Sequence, residues 1–411
     1  MPCFMRNTLL SLTAVLSLSA LPAHADWITT WTASPQRAWR ADELPLPTRI
    51  PTQLQDQTVR QTLRVSVGGK AVRIALSNLY GQQPLQVAAA SLAADRNAAP
   101  IPLRFSGISD VSVAAGAQVW SDPLPLPIPA LSSVQIALYI RAATPLTTFH
   151  WDGKQTAYIE AGDQTAHSVA RANAMPIEAR LWLTAVQVDA IADPGVAALG
   201  DSITDGNGVP LDSNQRWTDA LAAALPGRAV LNAGISGARL LQDGMGERAS
   251  ARLQRDALAQ AGVRDVVVLL GTNDIAWPGS SFAPSAALPE LARLQRGYLA
   301  LIAQTHARGQ RIFLGTLPPF AHALEGSPIL HYASPTKDAL RQALNDWLRA
   351  GQGADGVIDF DALLRDPARP TQLRAEYDSG DHLHPGPAGN AAMAAAAAAI
   401  LQKSTSADAK F

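Results

Sequence analysis

The residue pattern changes character at Pro194, and this change constrains the fold of the chain more than any other feature. Downstream of it, short apolar runs alternate with Ala/Leu/Arg-rich stretches of helical period. Strands are expected at Val196–Leu199, Ala229–Leu231, Val266–Leu270, Ile312–Leu314 and Val357–Phe360. Helices are expected at Thr218–Leu225, Ala251–Ala261, Leu291–Ala307, Thr336–Ala350 and Ala388–Leu401. Such runs have no polar side, so they need cover on both faces. Strand–helix alternation supplies that cover as a parallel sheet between helices. The expectation is an α/β domain over 191–403, followed by a frayed tail at 404–411.

Upstream the grammar is that of antiparallel strands. In Val59–Val67 apolar and polar residues largely alternate, Gly68-Gly69 offers a hairpin turn, and Val72, Ile74 and Leu76 resume the alternation. Similar runs recur at Val134–Ile140 and Arg180–Leu183, separated by Pro-rich breaks such as Pro123–Pro129. Residues 26–190 are therefore expected to form an all-β sandwich or jelly-roll-like domain. Six of the nine tryptophans precede Val188, as a sandwich core or a sugar-binding face would require.

Residues 1–25 have the order of a cleavable export signal: Arg6, an apolar stretch from Leu9 to Leu21, then Ala23-His24-Ala25. That order predicts a mature start near Asp26 and a periplasmic or secreted location. The apolar stretch is shorter than the roughly 20 residues needed to span a bilayer, so no stable membrane insertion is expected. The sole cysteine, Cys3, lies within the signal, so the mature chain has no thiol for a disulfide, a nucleophile or a metal. A net charge of -1 gives no electrostatic pull toward nucleic acid. Neither a His-Glu-x-x-His spacing nor a phosphate-binding glycine loop occurs, so no metal and no cofactor are expected. Oligomeric state is not encoded in any of these patterns.

Four segments carry chemistry. Gly200-Asp201-Ser202-Ile203 follows the first expected strand of the α/β domain. Asn232-Ala233-Gly234-Ile235-Ser236-Gly237, Gly271-Thr272-Asn273-Asp274 and Asp381-His382-Leu383-His384-Pro385 follow later. A serine hydroxyl is a weak nucleophile that needs a base, an orienting partner for the base, and donors for the developing oxyanion. Ser202, His384 and Asp381 supply the first three. The backbone N–H groups of Ser202 and Gly237 and the side chain of Asn273 supply the donors.

These blocks resemble the GDSL, or SGNH, hydrolase family, whose Ser, Gly, Asn and His blocks occur here in the family's order, with Ile203 in place of Leu. The resemblance covers about 194–402 and implies an SGNH-type three-layer hydrolase domain. It implies catalytic Ser202, Asp381 and His384, and an oxyanion hole of Ser202, Gly237 and Asn273. The Trp27–Gln36 opening and the Asp378–Pro385 block are similar to a subgroup of carbohydrate-linked arylesterases and acylhydrolases with an N-terminal β-domain. The implied activity is serine carboxylic ester hydrolysis of a small-molecule or glycan ester, with short acyl groups preferred.

Several of these residues also suit other roles. Ser202 suits a helix cap, Gly234 competes with Gly237, and His382 adjoins Asp381. Trp277, four residues after Asn273, suits a substrate wall or a core position. A glycoside hydrolase on the same fold would draw its carboxylates from Asp201, Asp205, Asp274 and Asp381. A lipase or phospholipase would use the same serine.

Overall fold

The computed structural model describes residues 26–40 and 42–408, with side chains to 403. The expected signal segment lies outside the described residues. Residues 27–189 form two main antiparallel sheets. One runs, in spatial order, Met175–Ile177, Ala157–Ala161, Gln57–Arg64, Ser133–Ile140, Ala89–Ala93, Ile101–Pro102. The other runs Trp27–Thr32, Leu183–Asp189, Val72–Ser77, Gln118–Trp120. Alternation along these strands turns Val59, Leu63, Ile74, Ile136, Leu138 and Val186 inward, and all six are fully buried.

One pairing differs from expectation. Gln57–Arg64 and Val72–Ser77 lie in different sheets, so Gly68-Gly69 is not a hairpin turn. Gly69 exchanges two backbone hydrogen bonds with Ile128, both 2.9 Å, and a Cβ on Gly68 would stand 2.6 Å from Ala130 N. The two glycines admit a close backbone neighbour where the chain passes from one sheet to the other.

The second half is the expected parallel sheet. Its strand order is Arg228–Gly234, Asp193–Gly200, Val263–Leu269, Arg311–Gly315, Gly356–Ile358, with every pair parallel. Val196–Leu199, Val266–Val268 and Ile312–Leu314 are wholly buried, as strands covered on both faces must be. The helices Trp217–Ala224, Leu291–His306, Pro335–Arg349 and Pro387–Asp408 fall within a residue or two of the expected positions at most of their ends. The last continues to Asp408, beyond the frayed tail expected from residue 404, because each added helical residue gains a backbone hydrogen bond once the helix is nucleated. Among the described residues no helix is long and apolar enough to cross a membrane.

Numbered along the chain, the strand order is 2-1-3-4-5, which places a crevice at the carboxyl ends of strands one and three. Register sharpens the point. Gly200 pairs with both Gly234 and Leu269, so three strands end level and the loops that follow rise from one edge. The N-terminal region packs against the same sheet. Thr29 N–H donates to the Ala261 carbonyl at 3.0 Å, Thr32 Oγ1 to Asn232 O at 3.1 Å, and Val230 N–H to Ser66 Oγ at 3.2 Å.

Candidate active site

Ser202 opens a one-turn helix, Ser202–Asp205, directly after the strand Asp193–Gly200. The cap is Asp201, whose carboxylate accepts from Ile203 N–H at 3.1 Å, so the Ser202 hydroxyl is left for other work. It meets His384 Nε2 at 2.8 Å. On the other side of the ring, His384 Nδ1 lies 2.6 Å from Asp381 Oδ2, while Asp381 Oδ1 accepts from the backbone N–H groups of Leu383 and His384. A carboxylate only accepts, so Nδ1 carries the proton and Nε2 is the acceptor for Ser202 Oγ–H. Burial alone would raise the Asp381 carboxyl, but its bonds to His384 outweigh that and hold it well below the usual carboxylate range. It therefore stays ionised down to strongly acidic pH.

His382 does not reach Ser202. Its Nδ1 pairs with Asp378 Oδ2 at 2.5 Å, its side chain is half exposed, and its backbone is left-handed at φ 61°.

The Gly237 segment is tied to the Ser202 turn by side chains. Asp205 Oδ2 accepts from Ser236 N–H at 2.8 Å, and Asn207 Nδ2 donates to Ser236 Oγ at 3.1 Å. Gly237 sits at φ 76°, and a Cβ there would clash with Met245 Sδ. Gly234 N–H is engaged by Asn232 Oδ1 at 2.9 Å, whereas Gly237 N–H has no partner among the described residues. Asn273 Nδ2 donates to the carbonyl of Ala238, the next residue, at 3.0 Å, which leaves its second hydrogen free.

Sequence reasoning missed two buried groups at this edge. Arg252 donates to the carbonyls of Ala233 and Gly200 at 2.7 and 2.8 Å and clamps two strand ends beneath the nucleophile turn. Tyr332 Oη donates to Asn273 Oδ1 at 2.7 Å. Burial, reinforced by Asp201 and Asp381, pushes the Tyr332 phenol well above its ordinary value, so it remains a donor. Asn273 is thus held at both ends, by Tyr332 at its oxygen and by Ala238 at its nitrogen. Replacing Tyr332 with Phe frees one end, and the expected result is a fall in kcat of about tenfold at nearly constant KM. Asn273→Ala is expected to cost about 10²–10³. Steady-state kinetics on an aryl acetate check both. No motif marks Tyr332, because only the fold brings its loop to Asn273.

Trp277 is corrected as a candidate substrate wall. It is 3% exposed, Phe282 stacks on it at 4.5 Å, and the Arg239 guanidinium lies 4.7 Å from its ring centroid. It caps the short helix Thr272–Ala276, which turns the indole into the core, close beneath Gly237. The other acidic residues have structural partners. Asp274 accepts from Leu240 and Leu241 N–H at 2.6 and 2.9 Å, and burial pushes it up to about 6. Burial raises Asp201 to about 7. Among the described residues no cluster of three His, Cys, Asp or Glu could hold a metal.

A Ser–His–carboxylate chain at the switch point of a parallel sheet defines the class: a serine hydrolase on an α/β scaffold. Residues 198–392 match the model of the GDSL-like lipase/acylhydrolase family. Residues 198–392 are thus a domain of that family, and the chain is a serine ester hydrolase. No curated protein matches. Among solved structures, the chain is similar to the aryl esterase of M. smegmatis, with 18% identity over 51% of this chain and 98% of that one and a TM-score of 0.40. It is also similar to a GDSL-like lipase from Bacteroides thetaiotaomicron, with 18% identity over 51% and 88% and a TM-score of 0.38.

Proposed function

We propose that the protein is an exported acylhydrolase that cleaves short-acyl esters, such as acetylated carbohydrates, through an acyl-serine intermediate. The observation that carries this reading is the hydrogen-bonded chain from Ser202 Oγ through His384 to Asp381. In the first step Oγ attacks the ester carbonyl carbon and its proton passes to His384 Nε2. The carbonyl oxygen, now negative, takes hydrogen bonds from Ser202 N–H, Gly237 N–H and Asn273 Nδ2. The tetrahedral centre collapses, the carbon–oxygen bond to the alcohol breaks, and His384 returns the proton to the leaving oxygen. Water then gives a proton to His384 and attacks the acyl-serine. The acid departs and Ser202 regains its hydrogen.

The short-acyl, carbohydrate-linked reading is supported by the resemblance of the Trp27–Gln36 and Asp378–Pro385 segments to carbohydrate-linked arylesterases and acylhydrolases. Export rests on the 1–25 sequence pattern.

Aryl acetate, butyrate, octanoate and palmitate, compared by kcat/KM, test the acyl preference. The expected order falls from acetate to palmitate. A rise toward palmitate would replace this reading with a lipase. Release of acetate from acetylated sugars checks the leaving group.

A further inference from the structure

A second buried histidine–carboxylate contact joins the two halves of the chain. His150 ends the strand Thr148–His150 of the N-terminal region and is 6% exposed. Its Nδ1 lies 3.0 Å from the Ser34 carbonyl and its Nε2 lies 3.0 Å from Asp205 Oδ1. Hydrogen-bond partners limit the states open to the pair. A backbone carbonyl only accepts, so Nδ1 bears a proton. Asp205 already accepts at Oδ2 from Ser236 N–H at 2.8 Å and Ser236 Oγ–H at 2.9 Å, as an ionised carboxylate does. The contact between Nε2 and Oδ1 then holds one further proton, and the opposed charges place it on the ring, as imidazolium with carboxylate. Charge energetics agree. Burial would lower His150, but Asp205 raises it. Burial would raise Asp205, but His150 and Ser236 lower it.

Asp205 is where this charge meets the active site. It closes the helical turn that begins at Ser202, with its N–H donating to Asp201 O at 2.8 Å. Gly206 and Asn207 N–H both donate to Ser202 O at 2.9 Å. Its carboxylate grips Ser236, the residue before Gly237. Together with the Asn207–Ser236 bond, the Asp205 carboxylate therefore sets where the Gly237 N–H stands relative to Ser202. A neighbouring bridge acts on the same loop: Gln36 accepts from Trp151 N–H and donates to Met245 O, both at 2.7 Å.

We propose that His150 is a positioning residue for ester hydrolysis: a protonated histidine supplied by the N-terminal region that fixes Asp205 and, through it, sets the Ser202 turn against the Gly237 loop. The inference rests on the roles given above to Ser202 and Gly237. It gives the β-region a part in the reaction without any contact to substrate. Misplacing reacting groups by about 1 Å costs on the order of 10² in rate, which is the scale such a brace controls.

Other charges face the pair. Asp152, pushed up to about 6 by burial and by Asp205, stands 3.4 Å from Ser236 Oγ, with Lys154 3.9 Å from its carboxylate and Glu178 beyond. Arg216 is paired with Asp219 at 2.8 Å and Arg252 with Asp256 at 3.4 Å. Neither arginine hydrogen-bonds Asp205, so His150 is the cation in contact with it.

The test compares Ser202→Ala, His150→Asn and His150→Gln in the full chain, using p-nitrophenyl acetate across the active pH range, with thermal melts. Asn can keep the Ser34 contact but does not reach Asp205. Its kcat is expected to fall about tenfold or more with KM within about twofold. Its acid limb is expected to move to higher pH, because a buried carboxylate without its cation takes up a proton sooner. Gln keeps a donor at the Nε2 position, so kcat should recover to within about threefold, with the acid limb still raised. A folded His150→Asn with parental kcat and parental acid limb would overturn the proposal, as would equal losses in both variants that merely follow melting temperature. If His150→Asn does not fold, the acid limb of His150→Gln decides: raised supports the brace, parental refutes it. Activity retained in Ser202→Ala would sink the site itself. An inactive Ser202→Ala beside parental His150 variants would sink only this inference.

Discussion

Ser202→Ala is expected to leave a folded protein with ester hydrolysis reduced by about 10⁴-fold or more in kcat. Two observations separate the chemical loss from a structural one. The helix cap is Asp201, so alanine at the first helical position keeps the cap bond to Ile203 N–H and is a good helix former. The hydroxyl makes one described side-chain contact, to His384, which alanine forfeits. Loss of a single hydrogen bond costs about 0.5–1.5 kcal/mol, so the melting temperature should move by only a few degrees. The rate loss is far larger because the nucleophile is absent from every step of the acyl-transfer cycle. Circular dichroism melts and kcat/KM for p-nitrophenyl acetate check both halves. Activity within about tenfold of the parent, in a folded variant, would remove Ser202 from the reaction.

How much of this was legible in the sequence depended on what each residue does. Ser202, Asn273, Asp381 and His384 stood out because nucleophile, donor and base each demand a residue type, and the four blocks flank apolar runs. Those runs also foretold a parallel sheet, since wholly apolar strands need cover on both faces. The Gly68-Gly69 hairpin failed for a physical reason. Alternation tells which residues form strands, but not which strands pair, and paired glycines serve close backbone approach as well as turns. Trp277 failed similarly. Four residues of separation from Asn273 place it nearby, yet the short helix decides which way the indole faces. His150, Tyr332 and Arg252 carried no signal at all. Each acts through a partner distant in the chain, and their pairings exist only once two sheets and several loops are assembled.

His384→Ala should rival Ser202→Ala in its effect, with a loss of about 10⁴-fold or more in kcat, whereas His382→Ala should stay within about threefold of the parent. Both histidines lie beside acidic partners in one short segment, so residue type alone does not separate them. Geometry does. The His384 ring bridges Asp381 and Ser202, 8% exposed and held at both nitrogens. The His382 ring pairs with Asp378 at Nδ1, and its side chain is half in solvent. Exposed pairs of that kind contribute about 0–1 kcal/mol, so removing it should disturb neither fold nor rate. The pH profiles extend the contrast. Asp381 is held far below the usual carboxylate range, so its protonation does not set the acid limb of the parent enzyme. A general base sets a limb of the pH profile, so the acid limb should persist in His382→Ala and disappear from the residual activity of His384→Ala. A larger kcat loss in His382→Ala than in His384→Ala would assign the base to the wrong ring, and a parental acid limb in His384→Ala would separate this histidine from proton transfer.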